Sequence, residues 1–325
     1  MYLKVSIVII AKNEPRIKYT LESLANQTIK PYEVLVVVDD LNDVSAKIAK
    51  EYFDKLPIKI VLNDTPGYGG ARKTGVEHAS GDIIAFIDAD CIADKDWIKN
   101  LIEVFTKGDV LVQAGKVIEI KSLDEISIAL KQSDNEGIEF LKFAPTMNFA
   151  FSRKLLSIIG NFDPEFSEGG EDLDFCIRLI KAGHRILYNP NAKVYHLKHR
   201  SSLRKAWRDG KSRARVFIKH SMALLSNAFI CFSHSISLLV LTILLVIGYP
   251  KLALLIFTPS LLHRLYRAFI NRKRSTGIFR GLLDSFITYI SHITFVISLI
   301  GLTLQKCKYR FRPLRMIPQN SCKMC

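Results

Sequence analysis

Two aspartates at the end of an apolar segment are the residues of this chain best suited to chemistry. Asp88 and Asp90 follow residues 83–87, whose sequence Ile-Ile-Ala-Phe-Ile predicts a buried strand. If the extended backbone continues, both side chains project in the same direction. Paired carboxylates favour a hard divalent cation, Mg²⁺ or Mn²⁺, which commonly binds through one or two carboxylates and substrate phosphates. Asp-x-Asp also occurs in ordinary solvated turns, so the other motifs decide its meaning.

A second acidic motif stands at the start of a predicted helix. Residues 169–174 read Gly-Gly-Glu-Asp-Leu-Asp. Acidic residues at a helix start can serve as caps or interact with the helix dipole. A carboxylate held there near a metal and a sugar can also act as a general base toward a hydroxyl group. Glu171 and Asp172 are therefore candidate catalytic residues.

Basic and histidine side chains complete the candidate set. Arg72 and Lys73 follow the glycine-rich loop 66–70, where side-chain cations and the first helical amides could receive phosphate. The loop matches neither the dinucleotide-binding fingerprint nor the P-loop, which argues against a Rossmann dehydrogenase and a P-loop NTPase. His196 ends a short strand predicted at 193–196 and could complete a metal site.

The elements that must position these groups alternate along the chain. Apolar runs predict strands over 5–11, 34–38, 58–62 and 83–88, and helical spacing predicts helices over 14–27, 44–53 and 71–79. This alternation indicates an α/β fold with an open, mostly parallel sheet flanked by helices. Ligands of such sheets bind beyond the carboxyl ends of the strands, where both aspartate clusters, 39–40 and 88–90, fall.

The 325-residue chain has two halves of opposite charge. Residues 1–195 contain 24 Lys and Arg against 29 Asp and Glu, whereas residues 196–325 contain 22 against 2. A basic half could bind nucleic acid. Here, however, basic clusters alternate with long apolar runs, a combination that favours an anionic membrane surface. We therefore expect membrane lipids as partners and no nucleic acid.

The apolar runs predict an all-helical membrane region. Runs at 228–247 and 285–304 are each about 20 residues long, while 252–262 is shorter, which leaves two or three membrane segments open. The basic stretch that precedes them predicts a cytoplasmic N-terminal domain, and no cleavable signal peptide is visible. The side on which the C-terminal tail lies stays open.

These features predict a multi-pass membrane protein with a cytoplasmic catalytic domain. The predicted divisions are a catalytic domain over 1–200, a basic juxtamembrane segment over 201–225, a membrane region over 226–305 and a basic tail over 306–325. The six cysteines show no disulfide framework. We assign no metal to the pair Cys322 and Cys325, because only Cys307 offers another ligand in the tail.

Taken in order, the motifs resemble the family 2 glycosyltransferases of GT-A fold over residues 3 to about 200. The segments that carry the resemblance are 6–14, 33–40, 70–75, 88–90, 160–163 and 171–174. The resemblance implies an inverting transferase that uses a nucleotide-diphosphate sugar and Mn²⁺ or Mg²⁺. It also implies the roles of individual residues.

The resemblance implies that Asp172 is the catalytic base within the Glu171–Asp172 pair. The metal site that it implies is formed by Asp90, Asp88 and His196. The nucleotide-binding residues that it implies are Asp39, Asp40, Arg72, Asp88, Lys12 and Glu14. Of the first two, either could hold the nucleoside, because the alignment from Glu33 depends on one inserted residue. The turn 39–42, Asp-Asp-Leu-Asn, departs from the usual Asp-Asp-Gly-Ser of the family.

A membrane-embedded C-terminal half would place the site beside a bilayer. The expected acceptor is therefore a lipid-linked saccharide, another glycan or a polyprenyl phosphate, in cell-envelope or glycan biosynthesis. Residues 204–208 do not match the Gln-x-x-Arg-Trp motif of processive synthases, which favours transfer of a single sugar. Two alternatives stay open: a polyprenyl-phosphate sugar synthase, and an inactive membrane scaffold that binds sugar nucleotides.

Overall fold

A nine-stranded sheet forms the body of the N-terminal part of the chain. The computed structural model describes residues 3–107, 110–126, 137, 139–197, 203–220 and the single positions 290, 294, 297 and 298. The strands are β1 (Val5–Ala11), β2 (Glu33–Val38), β3 (Ile58–Leu62), β4 (Ile83–Ile87), β5 (Cys91–Ala93), β6 (Val112–Ile120), β7 (Glu139–Leu141), β8 (Asn148–Ser152) and β9 (Ile186–Leu197).

The strand order is β3-β2-β1-β4-β8-β6-β9-β5, and β7 pairs with β9 outside this path. The six strands β1, β2, β3, β4, β6 and β9 run in one direction, and β5, β7 and β8 run against them. The predicted α/β class with an open, mostly parallel sheet is confirmed.

Helices cover both faces of the sheet. They are α1 (Ile17–Ala25), α2 (Val44–Lys50), α3 (Tyr68–His78), α4 (Trp97–Lys107), α5 (Leu156–Ile159), α6 (Glu171–Lys181) and α7 (Leu203–His220). Alternate residues of β1 enter different cores: Ile7 and Ile9 pack with α1 and α4, while Val8 packs with α3 and α6. Burial on both faces explains why the central strands read as continuous apolar runs.

Two local predictions need correction. The third predicted helix begins at Tyr68 and not at residue 71, so the last residues of the glycine-rich loop form its first turn. The short strand predicted at 193–196 belongs to the twelve-residue strand β9, which pairs with β5, β6 and β7. Strands β6 and β7, within residues 112–141, were not predicted from the sequence.

The two aspartates of the Asp-x-Asp motif lie in a turn and not on an extended strand. β4 ends at Ile87, and the backbone N–H of Cys91 donates to the carbonyl oxygen of Asp88 at 3.0 Å. This hydrogen bond closes a four-residue turn between β4 and β5. The prediction that alternation along a strand aims both side chains the same way was therefore wrong.

A buried carboxylate links the strands at their amino ends, opposite the edge where the two aspartate clusters lie. Glu33 is 2% exposed and accepts hydrogen bonds from Ser6 Oγ at 2.6 Å, Ser80 N at 2.6 Å and Lys59 Nζ at 2.7 Å. Burial raises the pKa of Glu33, but these hydrogen bonds more than offset it and bring the pKa to about 2. One carboxylate thus links β1, β2, β3 and the turn before β4.

The chain divides into two compact units, Met1–Ser212 and Arg213–Cys325. Among the residues that the structure describes, no helix combines the length and the apolar character needed to cross a membrane. The predicted membrane segments and the basic tail lie outside the described residues, apart from the four single positions within 285–304.

Replacing Glu33 with Gln should destabilise the unit Met1–Ser212 by roughly 2 kcal/mol near neutral pH, because a buried carboxylate loses charge-assisted hydrogen bonds. The folded-state pKa lies below the ordinary value of 4.5, so this stabilisation is complete above that pH and is lost as the pH falls toward 2. Both tryptophans, Trp97 and Trp207, lie in this unit. Denaturant unfolding followed by tryptophan fluorescence therefore measures the effect.

The difference between wild type and Glu33→Gln should shrink between about pH 7 and about pH 3. The exposed Glu51 provides the matched control, and Glu51→Gln should change stability by less than about 0.5 kcal/mol. A difference that is independent of pH would contradict the role of the Glu33 charge.

Candidate active site

A cleft of about 410 Å³ opens at the carboxyl ends of β1, β2 and β4. Parallel strands of an α/β sheet offer ligands this edge, because loops and helix ends converge there. Six of the predicted site residues line the cleft: Lys12, Glu14, Asp39, Arg72, Asp88 and Asp90. Among the other lining residues, Ala89 and Ser167 were not singled out from the sequence, and Gly67 and Tyr68 belong to the glycine-rich loop.

Asp39, and not Asp40, lies in the wall of this cleft. Asp39 accepts hydrogen bonds from Lys12 Nζ at 2.8 Å and from Asn63 Nδ2 at 2.8 Å. The hydrogen bond from Lys12 lowers the pKa of Asp39 and raises the pKa of the lysine. Asp40 is exposed and accepts from the backbone N–H of Asn42 at 2.8 Å, so it serves the turn after β2.

Glu14 is held by a neighbouring arginine that sequence reasoning missed. Arg16 donates from Nε at 2.8 Å and from Nη2 at 2.5 Å to the two oxygens of Glu14. Burial raises the pKa of Glu14, but hydrogen bonding to Arg16 lowers it overall. Arg16 Nη2 also lies 3.5 Å from Asp90 Oδ2. The sequence Glu-x-Arg directly after β1 was the available signal.

The two aspartates of the turn have different partners. Asp90 is 8% exposed, and its Oδ2 lies 3.4 Å from His196 Nε2. The hydrogen bond to Asp90 raises the pKa of His196. Asp88 instead faces Arg72, with 3.7 Å between Oδ1 and Nη2, and burial raises the pKa of Asp88. The structure therefore separates the predicted trio: Asp90 and His196 meet, while Asp88 pairs with a guanidinium.

A divalent cation fits the Asp90 side of the cleft. Ligand atoms of Asp90, Cys91 and His196 all lie within 4.8 Å of one another. Carboxylate oxygen and imidazole nitrogen are suitable ligands for Mn²⁺. Carboxylates also outnumber Lys and Arg side chains around the cleft, with Glu14, Asp39, Asp88, Asp90, Glu171 and Asp172 against Lys12, Arg16 and Arg72. This excess of negative charge is consistent with a bound cation.

Arg72 is a buried guanidinium that joins the two acidic motifs. It is 5% exposed and makes an ion pair with Glu171, which is 4% exposed. Asp88 and Asp172 also interact with its charge and raise its pKa, although burial opposes this. The Asp88 turn and the start of α6, separated by more than 80 residues, therefore meet at one cation.

Glu171 and Asp172 occupy different environments. Glu171 is buried against Arg72, whereas Asp172 is partly exposed and accepts from the backbone N–H of Leu173 at 2.7 Å. Burial raises the pKa of both carboxyl groups, and Arg72 opposes the rise. A partly accessible carboxylate with a raised pKa is suited to accept a proton. Two buried atoms, Arg72 Nε and Glu171 Oε2, have no hydrogen-bond partner within the described structure.

The loop before α6 is held against α3 by close backbone packing. The amides of Tyr68 and Gly69 donate to the carbonyl oxygens of Ser167 and Phe166 at 3.0 and 3.1 Å. A Cβ atom at Gly70 would lie 1.9 Å from the carbonyl oxygen of Thr65, so only glycine fits. Two of the first amides of α3 are thus already used, and the prediction that this helix start receives phosphate through its amides needs correction.

Aromatic packing anchors the same loop. The rings of Phe162 and Phe175 stack with centroids 4.4 Å apart, and Phe86 of β4 packs edge-on against Phe162 at 5.4 Å. Gly170 ends the loop with a φ of 92°, a left-handed conformation that glycine adopts without strain. The loop therefore delivers Glu171 and Asp172 to a position set by the core.

Helix α7 contacts this loop and the rim of the cleft. Arg208 Nη1 donates to Tyr68 Oη at 3.1 Å, and the guanidinium stacks over the Tyr68 ring at 5.3 Å. Lys211 Nζ lies 3.3 Å from Glu168 Oε1, and Ser212 Oγ donates to the Glu168 carbonyl oxygen at 3.3 Å. Sequence reasoning treated 201–225 as a juxtamembrane segment and did not predict these contacts.

Known proteins are similar to this chain in sequence. Residues 6–158 match the sequence model of Glycosyl transferase family 2. A Haloferax volcanii protein named glucosyl-dolichyl phosphate glucuronosyltransferase is 26% identical over 216 residues, which cover 60% of this chain and 69% of that protein.

Two solved structures share the fold. A mannosyltransferase from Pyrobaculum calidifontis, in complex with GDP-Man and Mn²⁺, has a TM-score of 0.59 and 17% identity, and the match covers 91% of this chain and 88% of the other. TarS 1-349 from S. aureus, in complex with UDP-GlcNAc, has a TM-score of 0.52 and 19% identity, with 66% of this chain and 67% of that chain covered.

The buried pair of Arg72 and Glu171 should show strong energetic coupling. Arg72→Met or Glu171→Leu alone leaves a buried charge without its nearest partner and should cost about 3 kcal/mol. The double substitution should cost less than the sum of the two, with a coupling of about 2 kcal/mol in tryptophan-monitored unfolding. The pair Lys73 and Glu77 on the exposed side of α3 is the control, with an expected coupling below about 0.5 kcal/mol. Equal coupling in both pairs would show that burial does not strengthen the contact between Arg72 and Glu171.

Proposed function

We propose that this chain, a glycosyltransferase with a family 2 domain over residues 6–158, transfers one sugar from a nucleotide-diphosphate sugar to a hydroxyl group of a lipid-linked acceptor. The observation that carries the proposal is the Arg72 cluster. One buried guanidinium interacts with Asp88 at the cleft and with Glu171 and Asp172 at the start of α6. This arrangement suits a displacement in which the diphosphate leaves from one side of the sugar while the base activates the acceptor hydroxyl on the other side.

The donor nucleotide would occupy the cleft beside β1 and β2. Asp39 would hold the nucleoside by accepting hydrogen bonds, and its contacts with Lys12 and Asn63 keep it ionised and oriented. Support comes from the two solved structures that share the fold, which are complexes with UDP-GlcNAc and GDP-Man. Glu14 would act indirectly, because its carboxylate is engaged by Arg16.

Asp172 would act as the general base. Its partly exposed carboxylate takes the proton of the acceptor hydroxyl while the hydroxyl oxygen bonds to the anomeric carbon. The bond from that carbon to the diphosphate oxygen breaks, and the electron pair leaves with the diphosphate, so the anomeric centre inverts. Glu171 would be a positioning residue, since it is buried against Arg72. A raised pKa makes Asp172 a stronger base than an ordinary aspartate.

Asp90 and His196 would hold a divalent cation, Mn²⁺ or Mg²⁺. A cation bound there would neutralise the negative charge of the diphosphate. The Pyrobaculum mannosyltransferase was solved with Mn²⁺, which supports this part of the proposal. Asp88 would lie beside this cation, where it lines the cleft and contacts Arg72.

A lipid-linked acceptor at a membrane is supported from two directions. The Haloferax relative carries dolichyl phosphate in its name. In addition, residues 196–325 have 22 basic and 2 acidic side chains interleaved with long apolar runs. We propose that the chain is a multi-pass membrane protein whose catalytic domain works on the cytoplasmic side.

Substitutions of the two neighbouring aspartates after β2 should distinguish a residue that contacts the donor in the cleft from a residue that only stabilises the turn. Asp39→Asn should raise the KM for the donor by about tenfold, because a charge-assisted contact is lost in the cleft. Asp40→Asn should leave the KM within about twofold, since Asp40 is exposed and serves the turn. Steady-state kinetics with a fixed acceptor concentration measures both values. A larger effect at Asp40 would contradict the assignment.

The proposed function is tested by nucleoside diphosphate release. The full chain is incubated with Mn²⁺ or Mg²⁺ and a panel of UDP-, GDP- and dTDP-sugars, with and without a lipid extract. One donor should show lipid-stimulated release, and Asp172→Asn should lower kcat by about 100-fold or more. The exposed Asp54 gives the control variant Asp54→Asn, which should retain wild-type kcat.

Other outcomes identify the alternatives. Transfer to a bare polyprenyl phosphate, with no transfer to a lipid-linked saccharide, would indicate a polyprenyl-phosphate sugar synthase. Nucleotide binding without release for any donor would indicate an inactive scaffold. Release that is unchanged in Asp172→Asn would reject Asp172 as the base.

A further inference from the structure

A sulfur atom lies beside the oxygen and nitrogen atoms of the candidate cation site. The carboxylate of Asp90, the thiol of Cys91 and the imidazole of His196 offer ligand atoms that all lie within 4.8 Å of one another. The backbone produces this arrangement. Cys91 and His196 are paired residues of the antiparallel strands β5 and β9, and such partners have neighbouring side chains. The Leu197 N–H also donates to the Asp90 carbonyl oxygen at 3.1 Å, which holds the turn against β9.

Cys91 differs from the other two groups in burial and in chemistry. It is 0% exposed and packs in the core between the sheet, α1 and α4. Sulfur is a poor ligand for Mg²⁺ or Mn²⁺, which prefer oxygen. Cations with high affinity for sulfur displace the thiol proton when they bind.

We propose that Cys91 is a conditional third ligand through which the site distinguishes two classes of divalent cation. Mn²⁺ and Mg²⁺ bind through Asp90 and His196 without the sulfur. Thiophilic cations such as Zn²⁺ and Co²⁺ bind Asp90, Cys91 and His196 together, a set of oxygen, sulfur and nitrogen ligands typical of zinc sites. Binding through sulfur releases one thiol proton to solvent. The inference rests on the proposed function, because it takes the cation site of the transferase as its starting point.

The consequence is competition between cations at one site. Zn²⁺ occupies the same Asp90 oxygen and the same His196 nitrogen that Mn²⁺ uses, so the two cannot bind together. The additional sulfur ligand and the order of divalent-metal affinities both favour Zn²⁺. Zn²⁺ is therefore expected to displace Mn²⁺ at equal concentration.

Cobalt absorption tests the sulfur ligand without any measurement of activity. The full chain is purified with Cys322→Ser and Cys325→Ser, so that the C-terminal pair cannot bind the probe. Titration with Co²⁺ should produce the near-ultraviolet charge-transfer absorption of a cobalt–thiolate bond. Cys91→Ser and Cys91→Ala should abolish this absorption, and His196→Gln should weaken Co²⁺ binding by at least about tenfold.

The matched control is the other buried cysteine of the described residues. Cys176 is 1% exposed, and its Sγ contacts the carbonyl oxygen of Ala144 at 3.6 Å. Cys176→Ser should leave the cobalt absorption unchanged. Tryptophan-monitored unfolding without metal identifies any variant that fails to fold, and the two Cys91 variants differ in polarity, so a folding defect of one does not prevent the test.

Binding of Mn²⁺ and Zn²⁺ separates this inference from the proposed function. Mn²⁺ affinity, measured by electron paramagnetic resonance, should change by less than about threefold in Cys91→Ala, while Zn²⁺ affinity, measured by displacement of Mn²⁺, should fall by at least about tenfold. If Mn²⁺ binds and Cys91→Ala changes neither the Zn²⁺ affinity nor the cobalt absorption, the inference is overturned and the proposed function stays intact. Failure of Mn²⁺, Co²⁺ and Zn²⁺ all to bind would overturn the inference together with the cation role in the proposed function.

Discussion

The guanidinium of Arg72 carries a charge that is almost entirely removed from water. A buried charge costs several kcal/mol unless carboxylates and hydrogen bonds compensate it. The compensating groups come from segments far apart in the sequence: Asp88 follows β4, and Glu171 begins α6, 99 residues after Arg72. Asp88 supplies one compensating carboxylate from the first half of the sheet, and the ion pair with Glu171 requires that α6 pack beside α3. This requirement couples the edge of the cleft to the position of the proposed base.

Close packing between α3 and the loop before α6 fixes the position at which α6 begins. The start of α3 and the loop before α6 approach so closely that the Tyr68 amide bonds directly to the Ser167 carbonyl oxygen. Phe162 inserts from the loop into the aromatic cluster of Phe86 and Phe175, which sets the depth at which the loop sits. The glycine-rich segment therefore allows the backbone of α3 to contact the backbone of the loop before α6. The phosphates of the proposed donor would therefore be bound mainly by side chains and the proposed cation.

The turn from Asp88 to Cys91 divides the electrostatics of the site. Asp88 faces Arg72 and the base cluster, whereas Asp90 faces Arg16 and His196 on the other side. Carboxylates outnumber guanidinium groups across the whole site, so a cation is electrostatically favourable on the Asp90 side. Cys91 lies directly beneath this side because β5 pairs with β9. The proposed cation site and the contact that links Arg72 to the turn thus lie at opposite ends of one short turn.

Local pattern in the sequence was sufficient for the central strands and the acidic motifs. Strand β1 and strand β3 were predicted with their observed bounds. For β1, burial on both faces requires an uninterrupted apolar run. Contacts between distant segments were not accessible in this way. Cys91 was missed as a site residue, because nothing in its immediate neighbours reveals that β9 brings His196 beside it. The length of β9 was missed for the same reason, since its pairing partners lie elsewhere in the chain.

The sequence by itself determined the α/β class, the opposite charges of the two halves and the acidic residues that gather at the cleft, because hydrophobic periodicity and charge are properties of neighbouring residues. Only the tertiary structure decided that Asp39 and not Asp40 lines the cleft, that Glu171 is buried against Arg72 while Asp172 stays partly exposed, and that a sulfur atom lies beside Asp90. These outcomes depend on distances between segments that are up to about 100 residues apart, and such distances are set by packing of the whole domain.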